Sequence, residues 1–197
     1  DLPVYLRISV GELWQKRLMA AGFPKTFEIG RVYRNEGSSP DHLQEFVNME
    51  FYWAYANYED GMQLVEEMYK KIAQEVFGKT EFSTRGHNFD FSHQWKRIDY
   101  RQEVLNRTGI DVITATEDEM KSKLDELGVK YSGENRERLT DTLWKYCRKS
   151  ISGPAFLVNH PKLVSPLAKA KRDNPELTER FQVIIAGSEV GNGFSEL

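Results

Sequence analysis

Residues 25–55 constrain the fold more than any other stretch. Two runs with strand character, Thr26–Arg34 and Glu45–Tyr55, flank a polar connection that includes Asn35, Glu36, Gly37, Ser38, Ser39, Pro40, Asp41 and His42. Strands joined by so polar a loop pair as an antiparallel hairpin. Arg34 and Glu36 stand at the loop entry, His42 lies inside it, and Phe46 opens the return strand. Arginine brings a fixed fork of donors that suits a phosphate and stays charged at any working pH. An aromatic face stacks on any purine, and a carboxylate accepts from amine donors. From the residue types alone, the same four also describe an exposed hairpin with surface charges, because Arg and Glu flank many turns.

The return strand splits with a period of two. Phe46, Asn48, Glu50, Tyr52 and Ala54 share one face, and Val47, Met49, Phe51, Trp53 and Tyr55 the other. The second face is expected to be core. The first mixes a carboxylate, an amide, a phenol and a phenyl ring, as a binding floor does. Glu12, Glu50 and Glu196, with Tyr52 and Asn192, form a second candidate set. Should they converge, they would attract a cation: a charge pair at 4 Å is worth about 4 kcal/mol at an effective dielectric of ~20. Three unrelated surface glutamates are the alternative. A third candidate is Gly187 through Glu196, where Gly187, Gly191 and Gly193 are interleaved with Glu189 and Asn192. Glycines there suggest a backbone closely approached by a ligand, or a bulged turn.

Elsewhere the pattern alternates helices and strands. Ser9-Val10-Gly11-Glu12 reads as a capping box leading a helix through Leu13, Arg17, Leu18 and Ala21 to about Gly22. Tyr58–Phe77 is an amphipathic helix with Met62, Val65, Met68, Ile72 and Val76 inward and Gly78 as its stop. Phe89–Phe91 is a short strand and Asp99–Arg107 a short helix. Two charged helices follow, one capped by Thr116 with Glu119 and one over Glu134–Lys149 with Leu139, Leu143 and Tyr146 inward. Strands resume at Pro154–Asn159 and at Arg180–Ala186, the latter apolar enough to be central. The class is therefore α+β: an antiparallel sheet flanked by helices. Residues 1–110 and 151–197 form the core, and residues 111–150 a small helical insertion.

Composition excludes several classes. The net charge is −3, which does not by itself suggest a nucleic-acid binder and leaves RNA contact through a local patch open. A single cysteine, Cys147, rules out an internal disulfide and reads as a buried small side chain. No apolar run approaches the ~20 residues of a membrane helix, and a cytoplasmic setting fits best. His87, His93 and His160 lack metal-ligand spacing and read as structural or surface residues. Both ends read as cut, so the chain is expected to be a piece of a longer protein.

Glu28-Ile29-Gly30-Arg31-Val32-Tyr33-Arg34-Asn35-Glu36-Gly37, through His42 to Glu45-Phe46 and Glu50-Phe51-Tyr52-Trp53-Ala54-Tyr55, closely resembles motif 2 of class II aminoacyl-tRNA synthetases, in its lysyl version. Leu6–Leu13, Ser165–Lys169 and Gly187–Leu197 extend the resemblance along nearly the whole chain. It implies ATP-dependent activation of lysine to lysyl-adenylate and transfer to tRNA(Lys). By that resemblance Arg34 is catalytic, at the α-phosphate. Glu36 and His42 hold ATP and Phe46 stacks under adenine. Glu12 meets the lysine α-amino group; Glu50, Tyr52 and Glu196 receive its side-chain ammonium. Asn192 binds its carboxylate, Phe194 walls the pocket, and Glu189 holds Mg²⁺ on the ATP phosphates. Seven residues before Glu189 the chain has Gln182, where many lysyl enzymes carry a second metal-binding glutamate. The resemblance also implies a homodimer in the parent. It places motif 1 upstream and motif 3 beyond Leu197, so the isolated piece is expected to be weak or inactive. Rival readings are a stand-alone paralogue that lysylates an elongation factor and a truncated, non-catalytic scaffold.

Overall fold

The computed structural model describes residues 3–37 and 42–197. The turn expected over Ser38–Asp41 lies outside them. The chain divides after Ala56 into two compact units. In the first, helix α1 (Glu12–Ala20) precedes strands β1 (Lys25–Tyr33) and β2 (Glu45–Trp53), which pair antiparallel from Lys25↔Trp53 to Tyr33↔Glu45. The hairpin is thus as expected, but two details differ. The Ser9 capping box does not form. Gly11 is the N-cap, left-handed at φ 73°, with no side-chain cap bond. A side chain there would also run into the Glu28 carboxylate, so glycine serves the tight turn onto the hairpin. Nor does α1 bury Leu13, which is exposed; its buried residue is Gln15.

The second difference is the hairpin's buried side. The face of Val47 and Met49 is not core. Val47 is 66% exposed, and its β1 neighbours on that face, Phe27 and Ile29, are 72% and 62% exposed. Tyr55 is fully exposed at φ 62°. The packed side is the face of Glu28, Gly30, Asn48 and Glu50. Val10 and Arg7 lie directly over Gly30, and Gln15 donates to the Val10 and Glu50 carbonyls at 3.0 and 3.3 Å while accepting from Thr26 at 2.9 Å. Period two sorted the residues correctly, but both faces are rich in apolar groups, and the segment before α1 covers the more polar one.

The second unit opens with α2 (Tyr58–Phe77), capped by an Asn57/Asp60 box and stopped by left-handed Gly78. Met62, Val65 and Ala73 are buried, whereas Ile72 and Val76, expected inward, are exposed because the C-terminal turns run past the core. Strands β3 (Glu81–Thr84) and β4 (His87–Asp90) form a hairpin about Arg85 and Gly86, both at positive φ. Then come β5 (Lys96–Asp99), α3 (Tyr100–Thr108, capped by Asp99), α4 (Glu117–Glu126, with the expected Thr116/Glu119 box) and α5 (Arg136–Arg148). Strand β6 (Ala155–Val158), a 3-10 turn at Lys162–Val164, β7 (Arg180–Ile185) and β8 (Ser188–Phe194) complete the chain.

The main sheet runs β5-β6-β7-β8; β5–β6 is parallel and the other pairs are antiparallel. β6 and β7 are buried along almost their whole length, as their apolar sequences predict. On one face, Leu157 and Ile184 join Tyr100, Leu124, Leu139, Leu143, Trp144 and Cys147 in a continuous core with α3, α4 and α5. On the other, Phe156 and Phe181 stack toward Trp95 and α2. The glycine-rich segment is strand rather than open loop. Ala186 and Gly187 make its turn at positive φ, and a bulge falls opposite Val183/Ile184. Its glycines are explained by packing: a Cβ on Gly191 would lie 3.2 Å from Val183, and one on Gly193 2.5 Å from the Phe181 ring. Among the described residues, no helix is long and apolar enough to cross a membrane.

Candidate active site

The hairpin end of the first unit brings its four candidates together. Arg34 places its guanidinium carbon 5.5 Å from the Phe46 ring centroid. Glu36 lies 4.0 Å from Arg34 Nη1 and 3.3 Å from His42 Nε2. Arg34 Nε also donates to the Ile8 carbonyl at 3.2 Å, and the Gln44 amide donates to the Glu36 carbonyl at 3.0 Å. These side chains remain partly open to solvent. The result is a guanidinium, a carboxylate, an imidazole and an aromatic ring on one small patch, held by bonds from the backbone on either side. Such a patch can take a phosphate and a flat base together.

One turn further along the same floor, Glu50 Oε1 accepts from the Val10 backbone N–H at 3.2 Å and from the Asn48 amide at 2.9 Å. Two donors on one oxygen fix the carboxylate's direction. Tyr52 follows on the same face, with the Lys16 ammonium 5.7 Å from its ring centroid. Lys16 also lies 3.8 Å from Glu12, at the exposed start of α1. Glu12, Glu50 and Tyr52 thus all belong to the side of the hairpin that α1 and its leading segment cover.

In the second unit, Glu189, Asn192 and Phe194 follow one another on β8, and Glu196 bridges to Ala168. The register sets Gln182 opposite Asn192, Ile184 opposite Glu189 and Arg180 opposite Phe194, so these side chains share one face. Arg180 Nε donates to Asn192 Oδ1 at 2.8 Å, and its Nη1 donates to the Val164 carbonyl and Ser165 Oγ at 3.0 and 2.7 Å. The Glu189 carboxyl is pushed above the ordinary carboxylate range by desolvation, an effect that Arg180, Arg148 and the Gln182 amide oppose. The Gln182 side-chain carbonyl is buried without a hydrogen-bond partner. Next to it, His160 is 1% exposed, and burial, with the Arg180 charge, holds its pKa down to about 3. No group of three or more His, Cys, Asp or Glu among the described residues could hold a metal ion by itself.

Residues 2–197 match the family of class II tRNA synthetases of the D, K and N group. The chain belongs to that family. Proteins named lysine–tRNA ligase are similar to it along its length. That of Thermotoga sp. (strain RQ2) is 41% identical over 197 residues, taking in 100% of this chain and 39% of the relative. Those of Fervidobacterium nodosum and Roseiflexus sp. (strain RS-1) are 40% and 42% identical, covering 100% and 98% of this chain and 38% and 40% of the relatives. The chain spans about two fifths of the length of the curated relatives it matches.

Two side chains of this chain, Gln15 and Arg180, were not singled out by the sequence. Gln15 is buried and ties α1 to the hairpin. Asn48, placed on the binding floor by its parity in the sequence, supports Glu50. Arg180 opens an otherwise apolar strand, and that lone charge in a buried run was the available signal.

Proposed function

We propose that this chain carries the ATP- and lysine-binding core of a lysine–tRNA ligase. The observation that carries this reading is the Arg34–Glu36–His42–Phe46 assembly, in a chain about 40% identical throughout to proteins of that name. In the proposed reaction, a lysine carboxylate oxygen attacks the α-phosphorus of ATP. The bond to the bridging oxygen breaks, pyrophosphate leaves and lysyl-adenylate forms. The lysyl group then passes to the 3′ end of tRNA(Lys). Catalysis here is positioning and charge neutralisation, with no covalent enzyme intermediate.

Arg34 would bind the α-phosphate as charge builds there. Its approach to Phe46 supports this, because one ligand can then meet the guanidinium by its phosphate and the ring by its adenine. Glu36, paired with His42, would accept from the nucleotide's amine donors. Glu50, Tyr52 and Glu196 would receive the lysine ammonium, Glu12 the α-amino group and Asn192 the carboxylate, with Phe194 as a wall. Glu50 suits that role because, among the described residues, neutral donors hold its charge in place.

Mg²⁺ belongs to the same proposal. A hard cation takes oxygen ligands and needs only one or two from the protein when phosphates and water supply the rest. Glu189, on β8, can supply one such oxygen, beside Gln182 on the same face of β7–β8. It would hold the ion, which when bound neutralises phosphate charge. The proposal also takes residues 111–150 as an insertion between core segments 1–110 and 151–197. It assigns a homodimer and a cytoplasmic role in translation to the full-length protein.

Lysine-dependent exchange of labelled pyrophosphate into ATP by the full-length protein tests the reading. Exchange with lysine but not with aspartate or asparagine is expected. Exchange with either acid or amide in place of lysine would overturn it.

A further inference from the structure

Asn192 is held by a partner that can only donate. Arg180 Nε points at Asn192 Oδ1 from 2.8 Å, and its Nη1 is tied to the Val164 carbonyl and Ser165 Oγ. These bonds reach a main-chain and a side-chain oxygen on the segment after β6 as well as the amide, so the plane of the guanidinium is fixed from both sides. Guanidinium has five N–H donors and no acceptor, so whatever amide atom faces it must be the oxygen. The usual ambiguity between the two ends of an asparagine is removed here by chemistry. The NH₂ end is therefore directed away from Arg180, and Asn192 is open to solvent.

An NH₂ group gives two donors and accepts nothing. It welcomes a carboxylate and offers nothing to a hydrogen atom in that place. An amide free to turn would present either end and discriminate less. We propose that Arg180 is a positioning residue: by claiming the amide oxygen of Asn192, it presents the NH₂ to the ligand and makes the site select the α-carboxylate of its amino acid. This rests on the proposed function, which gives Asn192 the lysine carboxylate. It adds that the selectivity is set on a neighbouring strand, by a residue that does not itself touch the ligand.

The register explains why the pair meets. Arg180 stands opposite Phe194, and Asn192 opposite Gln182, so Arg180 and Asn192 are diagonal neighbours on one face. A long side chain spans that distance. Gly191 and Gly193, flanking Asn192, leave room on the other face for Val183 and Phe181. The asparagine is therefore seated where the strand fits its neighbours closely.

The test compares lysine with cadaverine, which keeps both amines and lacks the carboxylate. Binding of each to the full-length protein is measured calorimetrically without ATP, for wild type, Arg180→Met, Arg180→Lys and Asn192→Asp. The wild type is expected to prefer lysine. Arg180→Met should lower the lysine-to-cadaverine preference about ten-fold, the range for one hydrogen bond to a charged group, with cadaverine binding and the KM for ATP unchanged. Arg180→Lys should recover part of the preference. Asn192→Asp, whose carboxylate turns one oxygen to the ligand, should lower it further. An unchanged ratio in Arg180→Met, or an equal loss for both ligands, would overturn the proposal and leave Arg180 as support for the fold. Should Arg180→Met not fold, Asn192→Asp decides: a retained preference for lysine overturns it. A wild type that binds neither ligand counts against the proposed function instead.

Discussion

Glu50→Gln separates the charge of Glu50 from its structural bonds. In the native side chain, Oε1 accepts from the Val10 N–H and the Asn48 amide. Glutamine keeps one carbonyl oxygen able to accept both, and its NH₂ takes the place of the second carboxylate oxygen. Two charge-assisted bonds become neutral, which costs about 1 kcal/mol in total. For a domain of this size that lowers Tm by about 3 °C. Lysine binding should suffer more. One ammonium at 4 Å from a carboxylate gains about 4 kcal/mol at an effective dielectric of ~20. Glu50 is partly buried and, in the proposed site, is not the ammonium's only contact, so about half of that, ~2 kcal/mol, is its expected net share. The KM for lysine in pyrophosphate exchange should therefore rise about 30-fold, with the KM for ATP within about two-fold of wild type. A folded variant with an unchanged lysine KM would refute the ammonium assignment. Equal rises for lysine and ATP would show that the substitution had disturbed the whole hairpin.

Arg34→Ala should lower kcat for exchange by about 100-fold, the scale for one removed transition-state donor; a rise confined to the KM for ATP would deny the transition-state role. Gly193→Ala drives a Cβ to 2.5 Å from the Phe181 ring and should destabilise by about 1–3 kcal/mol. A thermal melt unchanged from wild type would mean that β8 does not pair with β7 in the register described. His160 carries a pH dependence of definite sign. Burial, and then the Arg180 charge, lower its pKa from 6.5 to about 3. Between those values the unfolded chain binds the extra proton more readily, so this stabilisation is full above about pH 6.5 and is lost as pH falls toward 3, by up to ~1.4 kcal/mol per pH unit. Urea melts of His160→Gln between pH 7 and 4.5 should show a shallower fall than wild type, and parallel curves would reject the assignment.

What was legible in the sequence was mostly local. Gly78 stops α2 at the residue expected, and Thr116 with Glu119 starts α4, because caps act within one turn. The apolar run Phe181–Ile185 is internal to its sheet, as a strand covered on both faces must be. The hairpin was legible because its loop and its alternation agree. What failed depended on distant partners. Serine and glutamate at Ser9 and Glu12 satisfy the capping pattern, yet Gly11 takes the cap because the chain must turn sharply beside Glu28. The apolar face of β2 looked like core, but in this unit the chain ahead of α1 lies on the other face, drawn by the bonds of Gln15 and Glu50. Strand β3 was missed because Glu81–Thr84 has one large apolar residue, and its pairing shows only once β4 is beside it.

The glycines of β8 show how a correct signal acquires its meaning from pairing. Gly191 and Gly193 are two residues apart, which marks a strand face emptied of side chains. From the sequence, the glycines read as a backbone approached by a ligand, or as a bulged turn. The register decides: Val183 lies opposite Gly191 and Phe181 opposite Gly193, and both side chains occupy the room. The residue between the glycines must then point to the opposite face, where Arg180 meets Asn192 and fixes its amide. A slip of one residue would turn Asn192 into the apolar layer and bring the glycines to the polar side. Val183 and the Phe181 ring, packed against the glycines, oppose that slip, so the packing of Phe181 and the direction of the Asn192 amide are two consequences of one register.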